Sequence, residues 1–305
     1  MKKILDSDVY VIYSDNETLS LKSFSDLDRI EDLARRVLKK YIKKYYRIRN
    51  KKFQDDKLVY KSLSKDDPNF QDYTLKIDKE EHQLIDKITT LIEEKTDKLY
   101  TAELNRVEEL DNVYFDRHLF QPLLGQNGEK IKSSPQGLED SERRFVDLLS
   151  EHLSSGKADD FLEGRELFLL RNLTRSKGVC FLNEADRYYP DFILWIKEDN
   201  KQYITFVDPK GIIPLEDLDN DPKVKLAEEI KDKEVQIALN SEIKENIILN
   251  SFIMVYSNFQ SARGKFRKER QDFNDLNMIF TDDITVTARG INPIDKLLKA
   301  IIKQG

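Results

Sequence analysis

Two apolar runs, Tyr188 to Ile196 and Gln202 to Val207, flank the polar segment Lys197-Glu198-Asp199-Asn200-Lys201. Short runs rich in Ile, Phe, Tyr and Val and bounded by turn residues read as strands, and Asp199-Asn200 suits a tight turn between them. A turn centred between those two residues pairs positions symmetric about it, which sets Asp191 opposite Asp208. Directly opposed residues carry their Cβ atoms about 4.5–5.5 Å apart. Two carboxylates at that distance repel unless one is protonated or a cation lies between them. A hard divalent ion with oxygen ligands removes the conflict.

In an extended chain Asp208 and Lys210 share a face, while Pro209 points away and offers only its carbonyl as a metal ligand. A lysine beside the reacting water can stabilise negative charge that develops on a phosphate. Pro209 cannot donate to a ladder and Gly211 permits a turn, so the strand is expected to end here. Strand ends are where open α/β sheets carry their sites. An acid-x-Lys triplet by itself says little in so charged a chain, and Asp55-Asp56-Lys57 is another. The weight lies in its place after an apolar strand, opposite the only Pro-Asp dipeptide. The bland alternative has Asp191 accepting backbone N–H groups and Asp208-Lys210 forming a solvated strand end.

Elsewhere, Ile30, Leu33, Ala34, Val37, Leu38, Tyr41, Ile42 and Tyr45 recur at helical spacing after Asp28, which suits an N-cap or first turn. A second helix is expected from Asp78 to Glu94, with Leu84, Ile85, Ile88, Leu91 and Ile92 on its apolar face. Val9 to Tyr13 reads as a short strand and Lys65 to Asn69 as a turn. The stretch from Gly125-Gln126-Asn127-Gly128 to Ser133-Ser134-Pro135-Gln136-Gly137 reads as a linker. The expected organisation is a mainly helical region over 1–124, a linker over 125–137 and an α/β domain over 138–305. In that domain a helix is expected over 138–152, strands at 179–182, 188–196 and 202–207, a helix over 222–240 and a strand at 252–256. This order gives an α/β sheet whose central strands are covered on both faces.

The 305 residues are enough for a full core, and no apolar run approaches the ~20 residues of a membrane span. No secretory segment follows Met1-Lys2-Lys3, so a soluble, cytoplasmic protein without membrane contact is expected. Cys180 is alone, which excludes a disulfide framework and a cysteine zinc cluster; His82, His118 and His152 have no spacing for shared ligation. The net charge of −6 argues against a uniformly basic nucleic-acid binder. Charge position matters more. Ten basic residues and no acidic ones lie between Arg35 and Lys52, among them Arg36, Lys39, Lys40, Lys43, Lys44 and Arg47, with Tyr41, Tyr45 and Tyr46 interleaved. This run is a candidate nucleic-acid contact with bases stacked on tyrosines, or a solvated face that docks on an acidic partner. A smaller cluster, Arg263, Lys265, Arg267, Lys268 and Arg270, is a second candidate for the DNA backbone.

The pattern resembles the PD-(D/E)xK nuclease superfamily, with Pro190-Asp191 as first signature and Asp208-Pro209-Lys210 as second. It is most similar to the C-terminal nuclease domain of type III restriction enzyme-like helicase-nucleases (their Res subunit). Leu169-Leu170-Arg171-Asn172, Gly178-Val179, Tyr189 to Trp195 and Val207 to Gly211 carry that likeness, which is specific over about 138–215. Upstream, Tyr41 to Tyr73 with Asp67-Pro68-Asn69-Phe70 looks similar to the segment between motor and nuclease. The resemblance implies a restriction-endonuclease-like mixed sheet flanked by helices and a Mg²⁺-dependent DNA endonuclease, with Mn²⁺ as substitute. It implies that Asp191, Asp208 and Glu142 hold the metal with the Pro209 carbonyl, and that Lys210 supports the attacking water. The bland reading of Glu142 is a solvated helix glutamate. Arg171 and Asn172 either contact phosphate or brace the site. The chain departs from the family in having no GxxxxGK[S/T] phosphate loop and no acidic helicase box. It therefore resembles the tail of a larger machine, a fragment or a separate subunit. The implied partners are double-stranded DNA, a helicase motor and a methyltransferase or specificity subunit. The alternative function is a non-catalytic DNA-binding or assembly module that retains the nuclease fold.

Overall fold

The computed structural model describes residues 22–55, 58–60, 62–64, 73–93, 107, 110–121, 123–125, 128–173, 178–182, 187–240, 246–281 and 292–304. Two compact units emerge: Met1–Leu58 with Leu182–Arg187, and Val59–Phe181 with Tyr188–Gly305. Among the described residues no helix is long and apolar enough to cross a membrane. The strand expected at Val9–Tyr13 and the turn at Lys65–Asn69 lie outside the described residues.

The first unit contains helix α1 (Ser25–Asp55), which starts slightly before the expected Asp28. Asp26 Oδ2 accepts the backbone N–H groups of Lys22 and Ser23 at 2.8 and 2.7 Å, placing a negative charge on the positive end of the helix dipole. Ile30, Leu33, Val37, Tyr41 and Tyr45 are half-buried along one face, as their spacing predicts. Leu38 and Ile42, expected on that stripe, are instead 56% and 53% exposed.

The second unit begins with β1 (Thr74–Ile77), α2 (His82–Glu93), β2 (Asn112–Val113), β3 (Leu123–Leu124) and β4 (Ile131–Ser134). After these come α3 (Asp140–Ser154), α4 (Asp159–Leu162) and β5 (Arg165–Arg171), and then two short strands, β6 (Phe181–Leu182) and β7 (Arg187–Tyr188), each of which has one residue in the first unit. The remainder is β8 (Phe192–Glu198), β9 (Lys201–Lys210), α5 (Pro222–Asn240), β10 (Asn246–Val255), α6 (Phe259–Phe266), α7 (Arg270–Asp275), β11 (Met278–Phe280) and α8 (Pro293–Lys303). A central sheet has the strand order β11-β10-β9-β8-β5. The β5–β8 and β8–β9 pairs are antiparallel, whereas β9–β10 and β10–β11 are parallel, so α5 supplies the crossover that parallel neighbours require.

Alternating side chains divide this sheet into two buried faces. On one, Leu194, Ile196, Tyr203 and Val207 pack with Phe145, Val146 and Leu149 of α3 and Leu297, Leu298 and Ile301 of α8. On the other, Ile193, Phe206 and Leu249 meet Leu226 and Ile230 of α5. A mixed α/β architecture with a five-stranded central sheet flanked by helices is therefore present.

Several expected boundaries change. The stretch 131–134, read as linker, is β4, which pairs antiparallel with β1 so that Ile77 faces Ile131. Ile131 is buried with Ile88 and Leu91 of α2, an interaction between distant segments that a Gly- and Ser-rich composition conceals. β5 and β11 are not among the expected strands: β5 carries arginines at both ends, and β11 is only Met278-Ile279-Phe280. Helix α8 was likewise not expected. β10 starts at Asn246 rather than at 252, because Asn250 and Ser251 are buried polar residues inside an otherwise apolar strand.

Candidate active site

The β8–β9 register pairs Phe192 with Val207 and Glu198 with Lys201, closing on Asp199-Asn200 as expected. Asp199 takes a φ of 44°, a left-handed conformation that aspartate tolerates in tight turns. One step beyond the last pair, Asp191 and Asp208 stand opposite each other, close enough for Asp208 to raise the Asp191 pKa. Both point to the sheet face covered by α5. The strand passes through Pro209 and ends at Lys210, one residue later than the proline suggests. The Lys210 carbonyl accepts from Tyr256 N on the β10 side, so the Pro209 nitrogen turns to the other side, where β8 has already ended. Gly211, expected to permit a turn, is not among the residues with positive φ.

The electrostatics follow from burial. Asp208 is 1% exposed. Desolvation, then the proximity and charge of Asp208, push the Asp191 carboxyl far above the usual aspartate range. Asp208 also accepts from Lys223 Nζ at 2.6 Å through Oδ1, and the same ammonium lies 2.5 Å from its buried Oδ2. Lys210 Nζ lies 3.6 Å from Asp221 Oδ2. Burial and the Lys223 charge lower the Lys210 pKa, with Asp221 and Asp208 opposing. The Tyr188 phenol pKa is raised by burial and then by the charges of Asp208, Asp191 and Asp221.

Lys223 and Asp221 are the functional candidates that the sequence reading missed. They belong to Asp221-Pro222-Lys223, a second copy of the triplet Asp208-Pro209-Lys210. The two triplets exchange partners: Lys223 binds Asp208, and Lys210 faces Asp221. Asp221 also caps α5, its Oδ1 accepting Lys223 N at 2.8 Å. The repeated tripeptide was the available signal.

Glu142 reaches the site from α3, on the opposite face of the sheet. It is buried, and its Oε2 accepts from Arg171 at 2.9 Å and from Glu139 N at 2.8 Å in a capping box. Burial raises its pKa and Arg171 opposes the rise. Glu142 therefore does not join the two aspartates directly, and among the described residues no group of three or more His, Cys, Asp or Glu side chains is gathered for a metal. Arg171 also donates to the carbonyls of Gln136 at 2.7 Å and Gly137 at 3.0 Å. Asn172 Nδ2 donates to the carbonyls of Val179 and Pro190, each at 2.8 Å, and its Oδ1 accepts Val179 N at 2.9 Å. Of the two roles weighed for Arg171 and Asn172, these bonds supply the brace. Asp191, Glu142, Lys210, Lys223 and Pro209 all border one cleft of ≈ 450 Å³.

The basic clusters are partly engaged. Arg35 pairs with Glu31 at 2.6 Å and Arg36 with Asp32, both one helical turn back, while Lys39 and Lys40 are exposed. The side chains of Lys43, Lys44 and Arg47 lie outside the described residues. Lys265 Nζ donates to the Ile213 carbonyl at 2.6 Å, Lys268 pairs with Asp219 at 3.0 Å, and the Arg270 guanidinium sits 3.9 Å over the Phe259 ring. Arg267 is exposed at the left-handed C-cap of α6. No family model, no curated protein and no solved structure matches the chain.

Proposed function

We propose that this chain is a Mg²⁺-dependent DNA endonuclease with a restriction-endonuclease-like fold, the nuclease part of a restriction or phage-defence helicase-nuclease. The observation that carries the reading is the Asp191–Asp208 pair, set by strand register at the end of β8 and β9, with Lys210 two residues on beside an open cleft. Two facing, buried carboxylates beside an open cleft, one of them already holding a cationic ammonium, fit a hard divalent ion. Asp191 and Asp208 would hold it, with the Pro209 carbonyl beside them and Glu142 across the cleft. When bound, such an ion supplies Lewis-acid charge at the phosphate. Lys210 would orient the attacking water and stabilise charge on the phosphate as the water oxygen bonds to phosphorus and gives up a proton to solvent, while the ester oxygen leaves and takes up a proton from solvent. Arg171 holds Glu142 in place. The partners proposed are double-stranded DNA, a helicase motor and a methyltransferase or specificity subunit.

The test is nicking of supercoiled plasmid DNA with Mg²⁺ or Mn²⁺ by wild type, Asp208→Ala and Lys210→Ala. Wild type should nick, and each variant should lose about 100-fold or more, the scale on which removing one group aimed at developing charge is felt. Equal activity in all three would sink the assignment. Inactivity in all three, with DNA binding that weakens as salt rises, favours the non-catalytic DNA-binding module, a reading that the ammonium seated on Asp208 keeps in play.

A further inference from the structure

The crossed Asp-Pro-Lys triplets contain a cation of their own. Lys223 Nζ lies 2.6 Å from Asp208 Oδ1 and 2.5 Å from Oδ2, straddling the carboxylate. An ion chelated by those oxygens would sit at about 2.0–2.6 Å from them, so it and the ammonium compete for one volume. Lys223 retains 28% exposure of its side chain and borders the cleft, whereas Asp208 lies behind it. Its helix gives the ammonium no support, because Lys223 is the second residue of α5 and a positive charge there opposes the dipole. Two other contacts retain it: the Tyr188 ring, 5.3 Å away, and the buried acids.

We propose that Lys223 is the resident counter-cation of the Asp191–Asp208 pair, which an entering divalent ion must displace into the cleft. The proposal rests on the metal-site reading above and adds to it a competitor built into the chain. Lys223 is thus a positioning residue that sets how much divalent ion the site requires.

Mn²⁺ binding to the full chain without DNA, followed by calorimetric titration, tests this in wild type, Lys223→Met, Lys223→Arg and Asp208→Asn. Lys223→Met should bind Mn²⁺ tighter by about tenfold or more and gain more thermal stability from it, while Lys223→Arg stays near wild type. A packing role cannot produce a gain in affinity. Asp208→Asn should abolish binding. Equal or weaker binding by Lys223→Met, with binding still lost in Asp208→Asn, overturns the role of Lys223 and leaves the metal site standing. If no variant binds Mn²⁺ in a way that depends on Asp208, the metal-site reading fails and this proposal with it. Should Lys223→Met be unfolded without metal, saturating Mn²⁺ should fold it, and failure to do so overturns the proposal.

Discussion

Replacing Arg171 with methionine separates the two roles that its sequence context leaves open. Arg171 and Glu142 side chains are 10% and 12% exposed, so solvent screens their pairing little. Methionine keeps the apolar stem, but the variant leaves the Glu142 carboxylate with only Glu139 N as donor and frees the Gln136 and Gly137 carbonyls. Removing one partner of a buried ion pair costs about 3–5 kcal/mol, and each orphaned buried carbonyl about 1–3 kcal/mol when it cannot reach water. These terms overlap, and a net loss of about 4 kcal/mol is expected. At roughly 2–4 °C per kcal/mol for a unit of this size, the midpoint should fall by about 10 °C or more. Urea and thermal denaturation of Arg171→Met, Glu142→Gln and the double variant measure it. The double variant should be less destabilised than the two single losses summed, by at least about 1.5 kcal/mol, because the uncompensated charge is then gone. Should Arg171→Met lie within about 1 kcal/mol of wild type while the salt dependence of DNA binding drops by about one ion, the brace is wrong and Arg171 is a phosphate contact.

Two further perturbations follow from the same region. His118 Nε2 accepts Arg171 N at 2.8 Å and Nδ1 lies 2.8 Å from the Phe120 carbonyl; burial lowers its pKa from 6.5 to about 4. Because the unfolded chain takes up this proton first, stability should be full above pH 6.5 and decline between 6.5 and 4, by about 3 kcal/mol from this residue, and His118→Asn should flatten that part of the pH–stability curve. A methyl group at Gly137 would fall 1.6 Å from the Gly125 carbonyl oxygen, so Gly137→Ala should cost about 3 kcal/mol in urea denaturation. Gly264→Ala, inside α6 with nothing within 4 Å, should instead stabilise by up to about 1 kcal/mol.

What could be read from the chain is what local chemistry specifies. Helix α5 begins and ends where Pro222 and the charged, periodic run to Asn240 place it, because propensity and spacing act within a few turns. The hairpin register follows from a two-residue turn and side-chain alternation, which is why the sequence alone sets Asp191 and Asp208 face to face. The Gly- and Ser-rich stretch before α3 misled, since β4 owes its existence to a partner strand more than fifty positions earlier. The basic run on α1 was legible as charge but not as the ion pairs that Glu31 and Asp32 make with Arg35 and Arg36.

The sequence by itself therefore determined the facing aspartates, the lysine on their side and the helix that follows. Only the tertiary structure decided what surrounds them. It set Lys223 against Asp208, Asp221 against Lys210 and Arg171 against Glu142, pairings that join β9 to α5 and β5 to α3. The reason is burial. A charge excluded from water must find its opposite wherever the packed layers bring one, and that choice depends on how elements far apart in the chain come to lie together.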